Sequence, residues 1–313
     1  MERATSPVNG DSGYIDAIVD RVLERLSDSP GAAAPRPARG PASGIFSSVD
    51  EAVRAAATAF RDLSSLTLET RRKMIEAARA AAREAAPALS EHAVAETGMG
   101  RVEDKVRKNV LVATKTPGLE ILEPWAATGD HGLTLVDYAP YGVIGAIVPS
   151  TNPTETVINN AIGMLAGGNA VVFNAHPSAK ACTNRCISIL NDAIHAAGGP
   201  PIVFAAVEDP TIETAQAIMR HEGIALLVVT GGPAVVREAM RSGKRVVAAG
   251  PGNPPSVVDD TADLTQAGRD LVLGASLDNN IVCTDEKEVL AVASIADRLK
   301  ESMRAAGAYE VEG

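Results

Sequence analysis

From residue 142 onward, short apolar runs rich in β-branched residues alternate with longer runs of helical periodicity. Near-continuous apolar runs are typical of strands that are buried on both faces of a parallel sheet. This alternation predicts βαβ units and therefore an α/β fold with a doubly wound parallel sheet. The predicted strands are residues 143–148, 170–174, 202–207, 225–230, 245–249 and 256–258, and the predicted helices between them are residues 154–165, 178–197, 212–220 and 233–241.

A helical zone precedes the sheet, and a shorter mixed zone follows it. Residues 45–117 are rich in Ala, Arg and Glu, and Ser48 with Glu51 has the spacing of a capping box. An alternating apolar run at residues 133–138 predicts a β-hairpin ahead of the sheet. The elements predicted after the sheet are helices at residues 263–277 and 295–306 and a strand at residues 288–292.

The first 26 residues form a separate amphipathic segment. Ser12 is a candidate N-cap, and the apolar residues at helical spacing are Ile15, Ile18, Val19, Val22, Leu23 and Leu26. Residues 27–44 are rich in Ala and Pro without periodicity, which is typical of a flexible linker. A lone helix of about four turns is marginal in water. We therefore expect it either to pack on its own domain or, as the linker favours, to insert into a groove of a partner.

The composition excludes several classes of protein. With 29 Lys and Arg against 39 Asp and Glu, a net charge of −10 provides no broad attraction for nucleic acid or anionic lipid. One Trp, four Tyr and four Phe are too few for base-stacking platforms. No apolar run approaches the roughly 20 residues of a membrane span, and residues 1–12 lack a secretory signal. We therefore expect a cytoplasmic protein that binds neither nucleic acid nor membrane.

The sequence lacks the common nucleotide and metal motifs. It contains no Gly-x-Gly-x-x-Gly, no Gly-x-x-x-x-Gly-Lys-Ser/Thr and no His-Glu-x-x-His. Cys182 and Cys186 lie one turn apart in an apolar helix without nearby histidines, so we interpret them as packing residues and predict no metal site. Thr230, Gly231 and Gly232 lead from a predicted strand into a helix, where backbone N–H groups can hold a phosphate.

Cys283 and Asn152 are the candidates for covalent chemistry. Cys283 lies outside any apolar periodicity and is a candidate nucleophile, although a lone cysteine is often a small buried hydrophobe. Asn152 lies between a strand end and a helix start, where its amide can stabilise an oxyanion. Alternatively, Asn152 and Pro153 only shape the turn and Thr154 caps the helix. The spacing of these residues leaves both questions open.

Five segments, three of which contain the residues discussed above, follow one another along the chain: residues 149–156 (PSTNPTET), 174–180 (NAHPSAK), 229–233 (VTGGP), 249–255 (AGPGNPP) and 278–288 (DNNIVCTDEKE). Together they resemble motifs of the aldehyde dehydrogenase superfamily, in its CoA-acylating branch of the ethanolamine- and propanediol-utilisation type. The resemblance covers the chain from residue 45 onward. It implies a dinucleotide-binding domain over residues 45–249, with N-terminal helices and an oligomerisation hairpin near residues 118–141, and the start of a second α/β catalytic domain over residues 250–313.

This resemblance implies that the chain oxidises a short-chain aldehyde with NAD and CoA. Cys283 is then the nucleophile that forms a thiohemiacetal and, after hydride transfer to NAD, a thioester. Asn152 and the backbone N–H of Cys283 hold the oxyanion. The residues that line the dinucleotide site by this resemblance are Ser150, His176, Ser178, Thr230, Gly231, Gly232 and Val235.

The resemblance also implies which acceptor takes the acyl group. Hydrolytic aldehyde dehydrogenases carry a glutamate in a Glu-Leu-Gly-Gly-Lys motif, where it activates water, and Ala249 occupies the matching position here. Alanine cannot take a proton, so attack by water loses general-base assistance worth about 10²–10⁴-fold in rate. A CoA thiol attacks thioesters without that base, and we therefore expect an acyl-CoA product.

The N-terminal segment and linker resemble an encapsulation peptide, which implies binding to a shell protein and a place in the lumen of a bacterial microcompartment. Members of the family continue well beyond the nucleophile, so we expect a C-terminally truncated chain that forms a homo-oligomer when full length. The alternatives are a hydrolytic aldehyde dehydrogenase that gives a carboxylic acid and a non-catalytic dinucleotide-binding or cargo protein.

Overall fold

The computed structural model describes residues 43–311. The predicted targeting helix of residues 1–26 and nearly all of the linker of residues 27–44 lie outside this range. The described part opens with a short strand and three helices: β1 (Ile45–Phe46), α1 (Val49–Ser64), α2 (Leu68–Thr97) and α3 (Val102–Lys115). Ser48 caps α1 as predicted, since its side chain accepts a hydrogen bond from the Glu51 backbone N–H.

The predicted hairpin follows these helices and stands apart from the sheet. It consists of β2 (Trp125–Gly129) and β3 (Gly132–Val136), which pair antiparallel. Every residue of the two strands is exposed except Val136, which is half-buried. The hairpin therefore contributes almost nothing to the core of the described residues.

A six-stranded parallel sheet forms the centre of the molecule. Strand β1 belongs to this sheet. The other five strands and the helices that connect them are, in chain order, β4 (Val143–Ile147), α4 (Pro153–Ala166), β5 (Ala170–Asn174), α5 (Lys180–Ala196), β6 (Phe204–Val207), α6 (Ile212–Arg220), β7 (Leu226–Thr230), α7 (Pro233–Met240) and β8 (Arg245–Ala249). The order across the sheet is β1-β6-β5-β4-β7-β8, and each neighbouring pair is parallel. The predicted α/β fold with a doubly wound parallel sheet is confirmed.

The sheet separates two apolar layers because successive residues of a strand point to opposite faces. Val171 and Phe173 of β5 pack with residues of α2, α4 and α5 on one face. Val172, between them, packs with residues of α1 and α6 on the other face. Because the strands are packed on both faces, their carboxyl ends are held side by side at one edge of the sheet. The loops that follow these ends contain residues of the candidate site.

A second, smaller sheet follows the large one. The strand predicted at residues 256–258 is present as β9 (Pro255–Val258), and it pairs in parallel with β10 (Glu288–Ala291). The connection between them includes α8 (Leu264–Ser276), and α9 (Ala296–Ala305) follows β10. Both helices pack on this sheet through a small cluster of buried residues: Val258, Leu264, Leu271, Ile295 and Leu299. Between residues 43 and 311, no helix is both long enough and apolar enough to cross a membrane.

Candidate active site

The carboxyl ends of three adjacent strands bring most of the predicted dinucleotide residues to one edge of the sheet. Ser150 follows β4, and His176 and Ser178 follow β5, while Thr230 is the last residue of β7. The chain runs from β4 through β5 to β6 on one side and then returns to β7 on the other side of β4. Ligands of doubly wound sheets bind in the crevice at such a reversal of strand order.

His176 and Ser178 form a polar pair at this edge. His176 Nδ1 lies 2.8 Å from Ser178 Oγ and accepts a hydrogen bond of 3.2 Å from the Ser178 backbone N–H. These contacts fix the imidazole ring in the turn that leads into α5, and both residues are exposed. The pair can therefore reach a ligand without any rearrangement of the core.

The glycines after β7 leave space at the N-terminus of α7. Gly232 is the N-cap of this helix, and a Cβ atom added there would meet no other atom within 4 Å. The Gly231 N–H donates to the Ala249 carbonyl over 3.1 Å, and a Cβ at Gly231 would press on Val235. Since the first N–H groups of a helix have no partner within it, this open end suits an anionic group.

Asn152 occupies the N-cap position of α4, but its side chain does not cap the helix. Its Oδ1 accepts a hydrogen bond of 2.6 Å from Lys108 Nζ, and its Nδ2 donates to Thr151 Oγ1 over 3.2 Å. The alternative in which Thr154 caps the helix is wrong, because Thr154 is buried inside α4 and donates to the Glu155 carboxylate. The Asn152 side chain is therefore hydrogen-bonded to Lys108 and does not cap the helix.

Cys283 differs from the other two cysteines in its surroundings. Cys182 and Cys186 are buried in α5, as expected of packing residues, and burial raises the pKa of each thiol. Cys283 is half-buried and lies in the turn that follows the 3₁₀ segment Leu277–Asn280. The description of a small buried hydrophobe therefore fits Cys182 and Cys186, and not Cys283.

A buried charge cluster connects Asn152 to the turn that leads to Cys283. Asp278 is fully buried and accepts hydrogen bonds from the ammonium groups of Lys105 and Lys108 on α3. Burial opposes ionisation, but hydrogen bonds from Lys108 and from the Arg101 backbone outweigh it and lower the pKa of Asp278. The carboxylate therefore stays charged at neutral pH.

This charge cluster was not predicted from the sequence. Lys105 and Lys108 lie one turn apart on an otherwise ordinary polar helix, and 170 residues separate Lys108 from Asp278. The one signal in the sequence was Asp278 itself, an acidic residue within the segment that contains the nucleophile candidate. Its partners became evident only from the packing of α3 against that segment.

A second acidic residue lies close to Cys283. Asp285 is buried, and its Oδ2 has no hydrogen-bond partner among the described residues. Burial raises the pKa of Asp285, whereas the charge of Lys287 acts in the opposite direction. No group of three or more metal-ligating side chains between residues 43 and 311 could hold a metal ion.

The comparisons with known proteins agree with this architecture. The model of the aldehyde dehydrogenase family matches residues 42–309. An acetylating acetaldehyde dehydrogenase of Bilophila wadsworthia is 50% identical over 304 residues, which are 95% of this chain and 62% of that protein. The chain thus spans about three fifths of the length of this relative.

Two solved structures are similar as well. One is a propionaldehyde dehydrogenase from the fucose-utilisation microcompartment of Clostridium phytofermentans, with 46% identity and a TM-score of 0.82 over 86% of this chain and 62% of that one. The other is a propionaldehyde dehydrogenase of Rhodopseudomonas palustris with bound CoA and an acylated cysteine, with 45% identity, a TM-score of 0.82 and the same coverage. By its sequence and its fold, the chain belongs to the aldehyde dehydrogenase family.

Proposed function

We propose that this chain carries the nucleophile and the dinucleotide site of an NAD-dependent, CoA-acylating aldehyde dehydrogenase. One observation carries the proposal: Asp278, in the segment that leads to the half-buried Cys283, shares the Lys108 ammonium with Asn152, which follows β4 at the edge of the sheet where ligands bind. A thiol and an amide donor in one site are the two groups that thioester formation from an aldehyde requires.

The chemistry follows from these two groups. The Cys283 thiolate adds to the aldehyde carbonyl, and the new C–S bond turns the carbonyl oxygen into an oxyanion. The Asn152 Nδ2 group and the Cys283 backbone N–H donate to that oxygen, which favours the transition state over the aldehyde. Loss of hydride from the resulting thiohemiacetal carbon leaves an acyl thioester on Cys283.

The edge of the sheet fits a dinucleotide. The open N-terminus of α7 at Gly232 suits a pyrophosphate, and His176 and Ser178 offer polar groups beside it. Ser150, Thr230 and Val235 complete the residues that we assign to this site. When bound there, NAD⁺ supplies the hydride acceptor that oxidation of an aldehyde to a thioester requires.

Release of the acyl group favours a thiol over water. Ala249 is the last residue of β8, and its backbone carbonyl accepts a hydrogen bond from the Gly231 N–H. Because its side chain is a methyl group, this position offers no carboxylate that could activate water. The thioester of Cys283 then passes its acyl group to the CoA sulfur, and Cys283 recovers its thiol. The Rhodopseudomonas palustris relative, with bound CoA and an acylated cysteine, supports this assignment.

The proposal is tested by intact-mass measurement after incubation with propanal and NAD⁺, followed by CoA. We expect one added acyl group that persists in water, disappears with CoA and is absent from Cys283→Ala. Thr284→Ala, at the exposed neighbouring position, is the control and should acylate like the parent. An adduct that water removes as fast as CoA would indicate a hydrolytic enzyme. NAD binding without any adduct would indicate a non-catalytic protein.

We further propose that residues 1–26 direct the protein to the lumen of a microcompartment by binding a shell protein. The Clostridium phytofermentans relative from such a compartment supports this assignment. Replacing Ile18 and Val22 with Glu should abolish co-purification of the full chain with shells. Arg21→Gln with Arg25→Gln makes the same change in net charge on the polar side and should not. Equal losses in both double variants would contradict the assignment.

We also propose that the β2–β3 hairpin pairs with a second copy of the chain in a homo-oligomer. Leu133 and Leu135 lie on one face of β3 and are both more than half exposed, which is unusual for two neighbouring large apolar side chains. Replacing Leu133 and Leu135 with Lys should shift the mass measured by light scattering towards the monomer. Replacing Thr134, on the same strand, with Lys is the matched control. An unchanged mass for the Leu133 and Leu135 variant of an oligomeric, full-length protein would contradict the assignment.

A further inference from the structure

The buried Lys108 ammonium lies against oxygen atoms of Asn152 and Glu155 at the start of α4 and of the distant Asp278. Its ammonium donates to Asn152 Oδ1 over 2.6 Å, pairs with Glu155 Oε1 at 3.2 Å and donates to the Asp278 carboxylate. An ammonium group has three N–H donors and no acceptor, so two of its donors are used for Asn152 and Asp278, and the contact with Glu155 Oε1 is an ion pair without hydrogen-bond geometry. The position of the Lys108 ammonium is therefore fixed from three directions.

This arrangement determines which way the Asn152 amide points. Because an ammonium can only donate, it must face the amide oxygen, and the Nδ2 group must point to the opposite side. A flipped amide would place two donors against each other and leave the Lys108 ammonium one acceptor short. Burying a donor without a partner costs about 1–3 kcal/mol, which is enough to exclude the flipped rotamer.

The other end of the cluster holds the segment before Cys283. Asp278, Asn279 and Asn280 all have positive φ, at 47°, 58° and 59°. Non-glycine residues in this region carry strain of roughly 1–2 kcal/mol each, so other contacts must hold the turn. The Asp278 side chain provides them, because it accepts from the Arg101 N–H over 2.7 Å, from Lys105 over 3.0 Å and from Lys108. Gly100 leaves the necessary space, since a Cβ there would overlap the Asp278 carboxylate.

We infer that Lys108 is a positioning residue that sets the direction of the Asn152 amide donor, while Asp278, which also accepts from the Arg101 N–H and from Lys105, anchors the Lys108 ammonium. The inference rests on the proposed function in that Asn152 is taken as the oxyanion donor. Lys105 provides the matched comparison. It is also buried and also contacts Asp278, but it donates to the Thr151 carbonyl and not to the Asn152 side chain.

The kinetic test measures single-turnover thioester formation on Cys283. Lys108→Met keeps the length of the side chain but removes its donors, and should slow this step about 10²-fold, whereas Lys108→Gln retains an N–H₂ donor group and should recover part of the loss. Adding Lys108→Met to Asn152→Ala should slow the reaction no further, since the two residues act as one unit. Alkylation of Cys283 by iodoacetamide, which forms no oxyanion, should stay within about threefold of the parent.

A second readout does not depend on turnover. The side-chain amide signals of Asn152 in a ¹⁵N-labelled sample are identified by their absence from the spectrum of Asn152→Ala. They should move in Lys108→Met and stay near the parental positions in Lys105→Met, while thermal unfolding reports any loss of stability in both variants. If Lys108→Met does not fold, Lys108→Gln takes its place in the same measurement.

The outcomes separate this inference from the proposed function. A parent that forms no thioester refutes the proposed function, and the amide signals still decide the positioning. A parental rate in Lys108→Met, an additive loss in the double variant, or unmoved amide signals would each overturn the positioning.

Discussion

Gly252 packs so closely against Cys283 that an added Cβ atom would overlap the Cys283 carbonyl oxygen. The two residues belong to separate sequence segments, one after β8 and the other after the 3₁₀ turn. Further contacts join the same segments: the Lys287 N–H donates to the Pro254 carbonyl over 3.1 Å, and Asn253 Nδ2 donates to the Glu288 carboxylate over 2.6 Å. The segment that bears the nucleophile is thus fastened on one side by Asp278 and on the other by residues 252–254.

Gly252→Ala should therefore displace the Cys283 turn. Backbone cannot move aside as a flexible side chain does, so we expect a loss of about 1–3 kcal/mol in the free energy of unfolding. We also expect a large fall in the rate of thioester formation, because small misplacements of reacting groups are costly. Gly250→Ala is the matched control, since a Cβ at Gly250 would meet nothing within 4 Å. Denaturant unfolding and intact-mass kinetics check both variants, and equal behaviour of the two would refute the steric argument.

The oxyanion assignment of Asn152 predicts different results for two replacements. Asn152→Ala removes the N–H donor and should lower the rate of thioester formation about 10²–10³-fold. Asn152→Asp keeps an acceptor for Lys108 but still lacks the donor, so its rate should be at least as low. If Asn152 served only as the acceptor for Lys108, the Asp variant would retain the parental rate. Single-turnover kinetics of the two variants therefore distinguish a chemical role from a structural one.

The sheet was predictable from the sequence because its strands are continuous apolar runs. Such runs are typical of strands that a parallel sheet buries on both faces. In the structure β4, β5 and β6 are buried at every residue, whereas β8 is mostly exposed. The hairpin was predictable for a similar reason, through its alternating pattern at residues 133–138. In both cases the signal is local, since a few neighbouring residues determine the element.

The site could be predicted only in part. Cys283 and Asn152 were singled out by unusual local surroundings, and the structure places each in a turn outside the core layers. The contact between Lys108 and Asp278 depends on how α3 packs against a segment that is distant in the sequence. The spacing of apolar residues does not predict such a contact. The resemblance to a known family supplied the roles of the two residues, which their spacing alone left open.

The buried carboxyl of Asp285 predicts a pH-dependent stability. Burial raises its pKa, so the folded state binds the proton more tightly than the unfolded state does. The ionised group therefore destabilises the folded protein as the pH rises through the raised pKa, and the effect is absent where both states are protonated. Asp285→Asn should be more stable than the parent near pH 7, and this gain should disappear towards about pH 3.

Unfolding by urea at several pH values measures this difference. The exposed Asp260→Asn serves as the control and should show no comparable gain. For Asp278 the effect of pH on stability has the opposite sign, because hydrogen bonds lower its pKa despite burial. The stabilisation by ionised Asp278 is fully present above the pKa that this carboxyl has in the unfolded state, and it is lost as the pH falls through the lowered pKa of the folded state. A gain for Asp285→Asn that grew on acidification would contradict the assignment.

The three cysteines should differ sharply in reactivity in the native protein. Only a thiolate is alkylated, and burial raises the pKa of Cys182 and Cys186 while also closing them to reagent. Iodoacetamide at pH 8 should therefore add one group to the parent, on Cys283, and none to Cys283→Ser. Samples labelled after denaturation should gain one group on every cysteine, three in the parent and two in the variant. Mass spectrometry of native and denatured samples checks the numbers, and native labelling of Cys182 or Cys186 would show that α5 opens far more readily than its packing indicates.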